Sequence, residues 1–202
     1  MGKMLQNEKL TEEAFGGEAL DGCNENLVLT RPDVLRKIHT LYLEAGADLI
    51  CTNTFGATPL VLDDYDIGYK AEEINKRAAQ LAREAVDQFS TPEWPRFVVG
   101  AMGPTTKTLS VTGGVTFETL EENFYVQAKA LIEGGVDILL LETTQDTLNL
   151  KAGTIGVKRA FEATKKEVPI MISGTIEPMG TTLAGQTIEA FYISIEDVKP
   201  LS

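Results

Sequence analysis

A chain of 202 residues, 43% of them hydrophobic, can bury one sizeable core, and its length sets an expectation of one domain or slightly more. Acidic residues outnumber basic ones by 30 to 18, giving a formal charge of −12; a surface of that sign repels phosphate backbones and argues against a nucleic-acid partner. Two cysteines, Cys23 and Cys51, and one histidine, His39, make neither a disulfide framework nor a metal-ligand spacing.

The opening MGKMLQNEKL lacks the apolar centre of a signal peptide. No apolar run approaches the ~20 residues of a membrane span. These features lead us to expect a cytoplasmic protein without membrane contact. Thr30-Arg31-Pro32-Asp33 supplies a capping residue and an early proline for a first helix. Val34, Leu35, Ile38, Leu41 and Ala45 then mark its apolar face. Glu44-Ala45-Gly46-Ala47-Asp48-Leu49-Ile50 ends that helix at a glycine and enters a strand near residue 48. A second helix is expected over 69–89, with Ile74, Ala78, Leu81, Ala82 and Val86 on one side. Phe97-Val98-Val99-Gly100-Ala101-Met102 reads as the next strand and 117–133 as the third helix. Glu133-Gly134-Gly135-Val136-Asp137-Ile138-Leu139 repeats the pattern of 44–50. It leads into Ile138-Leu139-Leu140-Leu141, which runs straight into the carboxylate of Glu142. A fourth helix is expected over about 147–165. A strand follows at Pro169-Ile170-Met171-Ile172-Ser173-Gly174, and a fifth starts at Pro200-Leu201-Ser202.

Continuously apolar strands alternating with helices indicate successive βα units in a parallel sheet. Such units build an open doubly wound sheet or a closed barrel. The Gly-x-Gly-x-x-Gly turn of dinucleotide folds is absent. Polar residues gather instead at strand C-terminal ends: Asn53 and Thr54, Gly103 and Thr105, Glu142 and Thr143, Ser173 and Thr175. That distribution favours a (β/α)8 TIM-type barrel, whose site lies at that rim. Only four to five of the eight units are visible, where a full barrel takes about 250 residues.

The segments 22–46, 46–65, 98–114, "LLLETTQDTLNLKAG" at 139–153 and "SGTIEPMGTTLAGQTIEAFYISI" at 173–195 resemble the homocysteine-binding barrel of cobalamin-dependent methionine synthases. The resemblance covers nearly the whole chain, and 173–195 is its most specific part. It implies methyl transfer from methylcobalamin, carried on another domain, to the sulfur of homocysteine. A zinc ion held by three cysteines lowers the pKa of that thiol in the family. It further implies that Glu142 binds the substrate ammonium. Asn53, Thr54, Phe55, Gly103, Thr143, Ser173 and Thr175 would shape the pocket, Gly103 by letting backbone approach the ligand.

Two departures follow from the same resemblance. Met1-Gly2-Lys3-Met4 stands where the family has the Asp-Gly-Ala-Met-Gly-Thr loop after its first strand. The family's zinc cysteines, in Gly-x-Asn-Cys and Gly-Gly-Cys-Cys stretches, have no counterpart in this sequence. Residues 1–202 are thus expected to be a partial barrel, lacking the first strand and the zinc-binding half. The chain itself would bind neither zinc nor methylcobalamin and would be inactive alone. Its partners would be homocysteine and the folate and cobalamin domains of the intact enzyme. Two alternatives stand beside this: a non-catalytic half-barrel that self-associates through exposed sheet edges, and a homocysteine methyltransferase using a sulfonium donor.

Other polar residues have plainer readings. Asp48 and Asp137 cap turns or pair locally at the opposite face, and Asp146 caps the helix from 147. His39 is a plain packing or surface histidine, Cys51 is a small core residue within a strand, and Cys23 lies in a loop. Val111-Thr112-Gly113-Gly114-Val115 is expected to be a flexible loop over the barrel mouth, and Glu121-Glu122 and Lys165-Lys166 solvated helix faces.

Overall fold

A computed structural model describes residues 1–202. In chain order the elements are α1 (Gly2–Asn7), α2 (Glu12–Phe15), α3 (Leu27–Thr30), α4 (Pro32–Glu44), β1 (Leu49–Cys51), α5 (Pro59–Leu62), α6 (Ala71–Phe89), β2 (Phe97–Met102), α7 (Phe117–Gly134), β3 (Ile138–Thr144), α8 (Thr147–Thr164), β4 (Ile170–Gly174) and α9 (Ile188–Ile195). The four strands pair in parallel in the order β1-β2-β3-β4. These are four successive βα units of a TIM-type barrel, with strands and long helices where the hydrophobic pattern put them. Leu201 and Ser202 add two backbone hydrogen bonds to Ile170 and Ile172 at the free edge of β4, at 2.7 and 2.8 Å. The expected fifth extended segment therefore begins there.

The register sorts side chains by face. Cys51 pairs with Val99, Ala101 with Leu140, and Leu140 with Met171. Alternation along each strand puts Ile50, Val98, Met102, Leu139 and Leu141 on one face, where they form a core with Ala82, Val86, Leu131, Val157 and Ala160 of α6, α7 and α8. The opposite, inner face carries Cys51, Ala101, Leu140, Glu142, Met171 and Ser173. It has no second helix layer, and Leu49 and Phe97 stand about 40% exposed on it (41% and 39%).

The two similar segments behave alike. Gly46 and Gly135 both take left-handed φ, +94° and +99°, a region a Cβ disfavours, and each turns a helix end into a strand. Asp48 and Asp137 follow them and pair locally. Asp48 accepts from Trp94 Nε1 at 2.6 Å, and Asp137 from the backbone N–H of Val98 at 2.8 Å as well as from Arg83. Arg159 on α8 bridges Glu121 and Glu122 on α7 at 2.8 and 2.9 Å, so these two acids hold the helix pair together as well as facing solvent.

Several expectations need correction. Thr30 does not cap α4; it ends the short α3, and Arg31 stands at the N-cap position without a side-chain cap. Proline at the first position preserves the helix start. Met1–Met4 is not a strand-end loop, because Gly2–Asn7 is helical and Leu5 packs with Leu27, Leu35, Ile38, Ile74 and Leu81 in a second core. Cys23 lies in a loop, as expected, and that loop buries it fully in the second core. Cys51 departs from its reading as a core residue. It sits in β1 as expected but is exposed, because odd positions of β1 face the uncovered side of the sheet. His39, expected to be a packing or a surface histidine, is buried on α4 and packs.

Candidate functional site

The site is built on an irregularity at the end of β3. Leu141 pairs with Ile172 and Thr144 with Gly174, so Glu142 and Thr143 together oppose Ser173 alone. This is a β-bulge, a device that redirects side chains next to binding sites. Thr143 takes φ +60°, an uncomfortable conformation for a β-branched residue. Its N–H donates to Ser173 Oγ at 3.1 Å, and Thr175 N–H donates to the Thr144 carbonyl at 2.9 Å. Glu142, Thr143, Ser173 and Thr175 are thereby brought together at the β3–β4 rim.

Glu142 is half-buried. Burial pushes its carboxyl above the ordinary range, and the one charge working against this is the N-terminal ammonium. No lysine or arginine side chain pairs with it, which removes the salt-bridge explanation for a carboxylate at an apolar strand end. Cys51 on the same sheet face is exposed as a whole residue, but its thiol is recessed enough that burial pushes it up, with the charge of Glu142 adding to the rise. The two residues therefore look onto one space. Glu142 also lines a narrow cleft at the strand-end rim. Its floor is Met102, Gly103, Leu141 and Phe124, and its polar wall is Thr108, Gln145, Asp146 and Asn149.

The segment after β1 contributes differently from expectation. Thr54 is fully buried. Its hydroxyl donates to the Ala101 carbonyl at 2.7 Å and meets Thr52 Oγ1 at 2.6 Å. It splices β1 to β2 and offers no side-chain atom to a ligand. Asn53 is 6% exposed, and its Nδ2 donates to the Asn24 carbonyl at 2.6 Å. Phe55 is exposed, and its ring lies over Gly103, where an added Cβ would come within 2.7 Å of ring carbons. Gly103 thus makes room for Phe55, a tighter demand than the ligand approach expected of it.

Side chains from distant helices fix this segment. Gln127 Nε2 donates to the Thr54 carbonyl at 2.7 Å and Asn75 Nδ2 to the Ala57 carbonyl at 2.7 Å. Asn123 Oδ1 accepts from Leu60 N–H at 2.6 Å, and Glu25 Oε1 from Gly56 N–H at 2.9 Å. Thr108, Gln145 and Asn149 were missed as cleft residues, since single polar residues in a loop and a first helical turn carry no sequence pattern. Asp146 was read as a helix cap, and it is one, accepting from Leu148 N–H at 2.9 Å. Leu109 and Ser110, just ahead of the 111–115 stretch expected to be flexible, are tied to α8 through Asn149 and Asp146.

A sequence profile described as homocysteine S-methyltransferase matches residues 1–202. The chain belongs to the homocysteine S-methyltransferase family. It is 42% identical over 196 residues to the methionine synthase of Mycobacterium leprae (strain TN), an alignment covering 97% of this chain and 16% of that protein. The chain therefore spans about a sixth of that relative's length. The fold matches the homocysteine methyltransferase MmuM from Escherichia coli. In its metallated form the TM-score is 0.78 at 17% identity, covering 98% of this chain and 68% of that one. In its apo form the score is 0.71 at 18% identity, covering 98% and 65%.

The thiolate set that the family resemblance attaches to zinc was tested against the residues present. No three His, Cys, Asp or Glu side chains are grouped to hold a metal ion. The two thiols belong to different places, Cys23 inside the N-terminal core and Cys51 on the inner sheet face. These residues do not fit a three-thiolate metal. No helix is long and apolar enough to cross a membrane.

Proposed function

We propose that this chain supplies the amino-acid-binding part of a homocysteine S-methyltransferase, acting within a methionine synthase. The carrying observation is Glu142: a half-buried carboxylate at a bulged strand end, raised by burial and without a cationic side-chain partner. A substrate ammonium would supply the missing charge, and the half-buried Leu140 and Met171 on the same inner face offer apolar surface to the short methylene chain of homocysteine. In the transfer, the thiol first gives up its proton to solvent; a lone pair of the resulting thiolate then forms the S–CH3 bond while the donor's bond to that carbon breaks and its electron pair leaves with the donor. Methylcobalamin on another domain is the proposed donor. The activating metal needs donors beyond those these 202 residues group together. What the residues here do is hold the amino acid so that its thiol points along the inner face.

Calorimetric titration of L-homocysteine into the protein and its Glu142→Gln variant tests this. The substitution keeps the shape and removes the charge, so it should weaken binding by roughly 1.5–3 kcal/mol. Equal affinity would remove Glu142 from the pocket.

A second reading, pairing of the chain through its sheet edge and α9, is favoured by exposed Ile188, Tyr192, Ile193 and Leu201 beside β4. A monodisperse monomer in analytical ultracentrifugation would dismiss it.

A further inference from the structure

The loop between β2 and α7 forms one wall of the cleft beside Glu142, contributing Pro104 and Thr108. Within itself the loop closes through Thr108 and Thr112, with Thr108 N–H donating to Thr112 Oγ1 at 2.8 Å and Gly113 N–H donating to the Thr108 carbonyl at 2.8 Å. Its attachment to the opposite side of the cleft runs through two side chains in the first turn of α8. Asn149 Oδ1 accepts from Leu109 N–H at 2.8 Å, and Asn149 Nδ2 reaches Thr105 Oγ1 at 3.5 Å. Asp146, 1% exposed, divides its two oxygens. Oδ1 accepts from Leu148 N–H at 2.9 Å, Asn149 N–H at 3.4 Å and Ser110 Oγ at 3.1 Å. Oδ2 accepts from Ser110 N–H at 2.9 Å.

We infer that Asp146 is a positioning residue for the homocysteine site. Oδ1 caps α8, and Oδ2 clamps the 105–112 loop, fixing the position of that loop beside Glu142 at the strand-end rim. This deepens the proposed function and rests on it. A carboxylate suits the task because both oxygens accept and the loop presents a backbone donor. The residue is four positions beyond Glu142, so the strand end that carries the carboxylate and the clamp on the facing wall lie in one short segment.

The two roles of Asp146 separate by substitution. Asparagine caps helices about as well as aspartate, so Asp146→Asn preserves the cap through Oδ1. At Oδ2 it places an NH2 group against the Ser110 N–H, two donors face to face. The expected results are an unchanged melting temperature, faster hydrogen exchange at the Ser110 amide, and homocysteine affinity lower by about fivefold to tenfold. Asp146→Ala loses both roles and should also lower the melting temperature; Ser110→Ala, keeping the backbone donor, should bind nearly as the parent does. Glu142→Gln is run alongside. If Glu142→Gln weakens binding while Asp146→Asn does not, despite faster exchange at Ser110, the clamp has no part in recognition and the inference falls. If neither affects affinity, or if the parent protein takes no homocysteine, the proposed function falls and takes the inference with it.

Discussion

The ring of Phe55 fills the space that a side chain at position 103 would need, and the Gly103 N–H donates to the Phe55 carbonyl at 2.9 Å. The ends of β1 and β2 are thereby locked to each other. Gly103→Ala should cost roughly 1–3 kcal/mol, the usual range for overpacking, read from urea unfolding. Phe55→Leu in the same chain should recover part of the loss. Additive costs in this double-mutant cycle would show that the ring is not what excludes a Cβ.

Glu142 ties stability and binding to pH in opposite directions. Its folded carboxyl is raised above its unfolded value, so the folded state holds that proton more tightly. The stabilisation from this proton is present below the unfolded value and lost as pH rises through the folded one. Ionised Glu142 is the form that attracts an ammonium. Homocysteine affinity should therefore fall as pH is lowered through the raised value, while the stability difference between the parent and Glu142→Gln shrinks. Parallel titrations of binding and melting temperature between pH 4 and 8 read both trends. At neutral pH, Glu142→Gln should melt slightly higher than the parent, the pattern of a site that gives up stability for recognition.

His39 has the reverse sign. Burial lowers it from 6.5 to about 4, so the unfolded chain takes up its proton first as pH falls. Stability from the neutral ring is full above 6.5, declines between 6.5 and about 4, and levels off below. The loss is roughly 3 kcal/mol at 1.36 kcal/mol for each pH unit. Replacing it by leucine, of similar volume, should flatten the acid side of a stability–pH curve; an unaltered curve would place the acid sensitivity elsewhere.

The two thiols should differ in reagent access. Cys51 is exposed on the inner face and Cys23 buried in the N-terminal core. A thiol reagent should modify Cys51 in the native protein and reach Cys23 only after denaturation. Because Glu142 helps raise the Cys51 thiol, modification at fixed pH should be faster in Glu142→Gln. Labelling that is insensitive to position 142 would mean the two side chains do not share a space.

The sequence carried the repeated βα scaffold because parallel strands are written as apolar runs and glycine stops, both local signals. Glu142 was legible for the same reason, a charge breaking an apolar run. The faces of β1 were not. Alternation is hidden when both faces are apolar, so Leu49, Ile50 and Cys51 gave no hint that Cys51 stands on the uncovered inner face. Thr54 and Gly103 stand at the strand ends where the sequence put them, with contacts it did not reveal. Their partners, Ala101 and Phe55, come together only when the strands pair. The 53–62 segment was opaque for a further reason: Asn75, Asn123 and Gln127 sit on helical faces, where an amide reads as ordinary surface.

Those three amides have a practical consequence for anyone who would transplant the segment after β1 into another barrel. Its shape is written less in its own residues than in helices beginning at Ala71 and Phe117. A graft carrying 53–62 alone would arrive with three main-chain groups, on Thr54, Ala57 and Leu60, stripped of their buried partners. The smallest portable unit is the segment together with both helices and the Asn24–Glu25 turn, which holds Asn53 and the Gly56 N–H.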